Sequence, residues 1–103
     1  MRFRLAHTIS LQSIIVASRY QVSCDLAGES VILDVKSGMY YSLNAVGTQI
    51  WQLIQAPRAV HAVRDAVLDD YDVEPACCAR DLLALLQELA EKGLIEIQGE
   101  AAI

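Results

Sequence analysis

Histidine and basic charge are both scarce in this chain of 103 residues. The two histidines, His7 and His61, lie far apart, and eight Lys and Arg residues face thirteen Asp and Glu, for a net charge of −5. Such a balance argues against nucleic acid, which recruits basic patches, and suits a basic partner or plain solubility. The cysteines, Cys24, Cys77 and Cys78, are odd in number. They form no CxxC, and no histidine stands at ligand spacing from the adjacent pair. They read as small buried hydrophobes in a reducing cytoplasm. The chain also lacks a phosphate-binding glycine loop and a GxSxG elbow. Asp69-Asp70-Tyr71-Asp72 is acidic, but it has neither the spaced oxygens nor the glycine of a calcium loop. Long apolar runs are missing too. ISLQSIIVA follows Arg2 and Arg4, but Gln12 and Ser13 interrupt it, and it is too short to cross a bilayer. A soluble cytoplasmic protein without metal, cofactor or catalytic centre is expected.

What is present is apolar material, 54% of the residues. A chain of this length supports one domain, burying roughly 60–65% of its unfolded surface. The first half alternates with period two. In YQVSCDL (20–26), Tyr20, Val22, Cys24 and Leu26 alternate with polar residues, as in a half-buried strand. A turn at AGES leads to SVILDV (30–35). KSG (36–38) suits a three-residue hairpin loop before MYYSL (39–43). That loop pairs Val35 with Met39, Leu33 with Tyr41 and Val31 with Leu43, placing six apolar residues on one covered face. Ile32, Asp34, Tyr40 and Ser42 fall on the other, so Tyr41 is expected inside and Tyr40 outside.

The second half has helical period. Asn44 is a good N-cap for AVGTQIWQLI, whose stripe is Val46, Ile50, Leu53 and Ile54, with Trp51 a structural residue beside it. Gly47 weakens this helix by roughly 1 kcal/mol but permits close packing. Ala56-Pro57 ends it. Residues 59–71 place Val60, Val63, Val67 and Tyr71 on one side. A third helix opens at Pro75 and stops at Gly93, with Leu82, Leu85, Leu86 and Leu89 inward. LIEI (94–97) is a short extended segment. The expected fold is α+β and winged-helix-like, a three-stranded antiparallel sheet followed by a three-helix bundle. It occupies residues 20–98, between an N-terminal extension or extra strand (1–19) and a tail (99–103).

With no nucleophile–base pair in evidence, the function should be binding. One candidate is DNA, read by the last helix of a winged helix. Here that helix sets Arg80 and Lys92 against Asp81, Glu88 and Glu91, and the ten residues after Gly93 are too few for an ordinary wing. The other candidate is an extended peptide. Met39, Tyr40, Tyr41, Ser42 and Leu43 form a short edge strand without a lysine to deter pairing. Its Tyr40 and Ser42 backbone groups are expected to point outward.

ILDVKSGMYYSLNAVGTQIW, followed by YDVEP, Asp81 and LLALLQELAEKGLIE, resembles the PqqD family, also described as RiPP recognition elements. The resemblance covers about residues 20–97. One departure is the second helix, which opens with Arg58-Ala59 where the family often has a Ser or Thr cap. The resemblance implies a domain that binds the leader of a ribosomally made precursor by strand addition, in a groove against the third helix, and hands it to a modifying enzyme. A stand-alone chain of this kind is similar to the recognition proteins of lasso-peptide biosynthesis, whose partner is a separate leader peptidase. The alternative is a peptide chaperone of pyrroloquinoline quinone synthesis. On the helix side, Ala76, Arg80, Leu83 and Gln87, at i, i+4, i+7 and i+11, form a stripe rotated from the core leucines and are expected to line that groove.

Overall fold

The computed structural model describes residues 9–100. Arg2, Arg4 and His7 lie outside them. The elements are β1 (Ser13–Ala17), β2 (Gln21–Leu26), β3 (Glu29–Asp34), β4 (Tyr40–Leu43), α1 (Ala45–Leu53), β5 (Arg58–Ala59), α2 (Val60–Asp70), α3 (Pro75–Glu91) and β6 (Ile95–Glu100). The α+β expectation holds: β2, β3 and β4 form an antiparallel meander, and three helices follow. No helix among the described residues is long and apolar enough to cross a membrane.

A second sheet, ordered β5-β1-β6, joins the two ends of the chain. Ile15 at its centre is fully buried. Two consequences follow for the sequence reading. LIEI extends into a longer strand paired with β1. Arg58-Ala59, expected to open the second helix, is a two-residue strand on β1. No side chain caps α2, and the Leu11 carbonyl accepts the His61 N–H at 3.0 Å. A main-chain acceptor thus serves where a Ser or Thr cap is missing.

The other helix ends follow local chemistry. Asn44 Oδ1 accepts the Gly47 N–H at 2.9 Å. Pro75 is the first residue of α3. Gly93 has φ 75°, its N–H donates to Ala90, and the Leu94 N–H donates to Leu89, the paired bonds of a Schellman ending. The core joins Ile50 and Trp51 of α1, Ile54 at its C-cap, the three α2 valines, and Cys78, Leu82, Leu86 and Leu89 of α3.

The β3–β4 register differs from expectation by one residue. Ile32 stands opposite Tyr41, Leu33 opposite Tyr40 and Ser30 opposite Leu43. The loop is Val35–Gly38, four residues, because Asp34 organises it. Its carboxylate accepts the Lys36 N–H at 3.1 Å and the Ser37 hydroxyl at 2.9 Å. Its carbonyl accepts the Gly38 N–H at 2.8 Å, and its N–H donates to Met39 at 2.9 Å. An Asx-type turn thus opens the loop one residue early. The slip turns β3 over: Ile32 and Ser30 face α1, while Val31 and Leu33 face away. Val35 and Met39, expected in the covered face, are exposed. Tyr41 is half-buried against the core and Tyr40 is exposed, as expected.

β2 is turned over as well. Tyr20, Val22, Cys24 and Leu26 are exposed, and Ser23 and Asp25 lie on the α1 side. That inner face is held by polar bonds. Trp51 Nε1 donates to Ser23 Oγ at 3.2 Å, Gln52 donates to Asp25 at 3.2 Å, and Ser30 Oγ donates to Asp25 at 2.8 Å.

Candidate functional site

β4 is an edge strand, with β3 on one side and no strand on the other among the described residues. The Asp34 N–H bond to Met39 makes these two a bonded pair. Pair types alternate along an antiparallel ladder, so Tyr41 is bonded to β3, while Tyr40 and Ser42 turn their N–H and C=O groups outward. This outward set matches the sequence expectation despite the slip. The longer loop changed the partner on β3 and left the alternation along β4 intact.

The end of the strand is anchored. The buried Thr48 hydroxyl accepts the Ser30 N–H at 2.8 Å and donates to the Leu43 carbonyl at 3.3 Å, completing the last rung between β3 and β4. Gly47 allows this approach of α1 to the strand. A Cβ there would lie 3.2 Å from the Leu43 Cβ, tighter than side chains normally tolerate.

Beside this end opens a cleft of about 480 Å³. One wall is Ser42, Leu43 and Asn44 with Val46, Gly47 and Ile50 of α1. The opposite wall is Cys77, Cys78, Asp81, Leu82 and Leu85 of α3, and Val67 and Val73 complete it. Lys92 Nζ lies 5.5 Å from the Tyr41 ring centroid, so α3 flanks the strand at its other end as well. The lining is apolar, with Asp81 exposed at the rim and paired to Arg80 at 3.5 Å. Cys77 Sγ donates to Glu74 at 3.3 Å. Burial pushes the Cys78 thiol above its ordinary value; Arg64 opposes the shift and Asp81 adds to it.

Ser42 and Leu43 belong to this cleft, and Tyr40 and Tyr41 continue the same strand beyond it. Met39 precedes the strand and is exposed. The four helix positions expected to face them are placed differently. Ala76 is exposed and not in the lining. Arg80 reaches the rim, its guanidinium 3.6 Å from Cys77 Sγ. Leu83 packs against the core. Gln87 accepts the Ile9 N–H at 3.4 Å and lines a separate hollow against β6. Cys77, Asp81 and Leu85 of α3 line the cleft instead. Leu85, expected in the core stripe, is its outermost member and only half-buried. Val73, 45% exposed, was missed. Its signal was an apolar side chain alone among Asp72, Glu74 and Pro75.

No curated protein sequence matches the chain. Among solved structures, TbiB1 in complex with the TbiA(beta) leader peptide is similar, with 33% identity and a TM-score of 0.73. The match covers 84% of this chain and 99% of that one. The family model described as coenzyme PQQ synthesis protein D (PqqD) matches residues 29–95. That span contains β4, the cleft and α3, and the chain belongs to the PqqD family.

Proposed function

We propose that this domain recognises the leader segment of a ribosomally synthesised precursor peptide. The leader adds as a strand to β4 and sets an apolar side chain into the neighbouring cleft. The observation that carries this reading is the juxtaposition of an open β edge with an apolar cleft, in a chain 33% identical to a protein solved with a leader peptide. Main-chain bonds supply affinity in strand addition, and pockets for alternate side chains supply specificity. The domain performs no chemistry itself. It raises the local concentration of precursor at a separate enzyme, a lasso leader peptidase being the favoured partner and an enzyme of pyrroloquinoline quinone synthesis the alternative. A DNA-reading role fits poorly. Arg80 is paired with Asp81 and Lys92 with Glu88, and the strand after Gly93 pairs with β1 instead of forming a wing.

The test is calorimetric titration with a synthetic leader and, separately, with labelled duplex DNA. Saturable leader binding with little salt dependence is expected. Strongly salt-dependent duplex binding without leader binding would overturn the proposal.

A further inference from the structure

The outer face of the β2-β3-β4 sheet has no cover among the described residues. Tyr20, Val22, Leu26, Val35 and Tyr40 on it are each 54–68% exposed. Cys24 is exposed between them, and Val31 and Leu33 lie half-buried at the centre. The cross-strand rows are continuous: Val22, Leu33 and Tyr40 in one, Cys24, Val31 and Ser42 in the next. Half-covered antiparallel sheets ordinarily turn apolar residues to the core and polar ones to water. This sheet keeps that order only in part: Ile32, Tyr41 and Leu43 face the core beside Ser23, Asp25 and Ser30, whereas Val22, Leu26 and Tyr40 are turned to solvent.

We propose that this face packs against the same face of a second copy of the chain, about a two-fold axis that lies in the contact plane across β3. Charge identifies the occupant. The face carries little charge, and that charge is divided between its ends. Glu29 stands beside Leu26 at the β2–β3 turn. Lys36 stands in the β3–β4 loop, its Nζ 4.6 Å from the centroid of the Tyr20 ring. A two-fold axis lying in the contact plane and perpendicular to β3, midway between Val31 and Leu33, reverses the strand direction in the second copy and brings each Glu29 to the partner's Lys36 end. The arrangement is isologous and closes on itself. An apolar centre also spares two chains of net charge −5 from direct repulsion at the contact. Stacking face to face leaves both β4 edges open, so the dimer retains two strand-addition sites.

Sedimentation velocity over a concentration series tests this on four proteins. The parent is expected to be dimeric, and Val22→Glu monomeric with an unchanged far-UV spectrum. Glu29→Lys and Lys36→Glu should each weaken dimerisation roughly tenfold, since each alteration strikes two symmetry-related pairs. The double variant should restore most of that loss, which is expected of self-association through these ends and not of an unrelated partner. A parent that stays monomeric at millimolar concentration overturns the proposal. So does a dimer unaffected by Val22→Glu, or a double variant no better than the single ones. If the parent is monomeric and Val22→Glu loses only the modifying enzyme, the face belongs to that enzyme. Leader titration of the same variants keeps this outcome separate from the strand-addition reading, because none of the substituted residues lines the cleft.

Discussion

The indole N–H of Trp51 reaches Ser23 Oγ at 3.2 Å, so the largest side chain of α1 is fastened to β2 across the inner face of the sheet. Trp51 is 2% exposed. Trp51→Ala should therefore cost about 3–5 kcal/mol in urea unfolding, chiefly through the cavity it leaves. A stable Trp51→Ala protein that has merely lost leader binding would make the indole a ligand platform instead.

Thr48 occupies a comparable position at the end of β4. Thr48→Val keeps the shape and removes the hydroxyl that accepts from Ser30 and donates to Leu43. Both backbone groups then lose their partner, at about 1–3 kcal/mol. The melting temperature should fall by about 4–8 °C per kcal/mol in a domain of this size. An unchanged melting curve would mean that water replaces the hydroxyl.

Proline separates the two sides of β4. Ser42→Pro deletes an outward N–H and should keep the fold while weakening leader binding by at least tenfold. Tyr41→Pro deletes a bond to β3 and should damage the hairpin. Circular dichroism and calorimetry on the pair distinguish these outcomes. A folded Ser42→Pro protein with parental affinity would remove β4 as the dock.

The cleft and the core side of α3 can be separated in the same way. Val73→Glu puts a charge into the cleft from an exposed position, so stability should change by about 0.5 kcal/mol or less while leader affinity falls. Leu83→Ala removes a side chain packed on the core, away from the cleft. It should lower stability by about 1–3 kcal/mol and leave affinity in the folded protein unchanged. Affinity loss in Leu83→Ala without loss of stability would return the leader to the Ala76–Gln87 side.

The candidate site is partly legible in the sequence. The edge strand followed from a short tyrosine-bearing run that closes a hairpin and leads into Asn44. The helix wall was harder to read. Leu82, Leu85, Leu86 and Leu89 form one continuous stripe in sequence, and nothing local tells which of them lies at the border of the core. The orientation of α3 against β4 makes that division, leaving Leu85 to the cleft and Leu86 wholly buried.

Element types were determined by the sequence itself. Asn44, Pro75 and Gly93 act within one or two turns of their own helices, so their effect could be read locally. Which face of the sheet is covered was decided by the tertiary structure. Val31, Ile32 and Leu33 are consecutive and apolar, so period two cannot choose between them. The choice came from the Asp34 side chain, which lengthened the loop, and from Trp51, Gln52 and Thr48, whose polar atoms drew Ser23, Asp25 and Ser30 inward. The β1–β6 pairing was likewise beyond local reading. Its strands are separated by nearly the whole chain, and no short-range pattern records a contact at that distance.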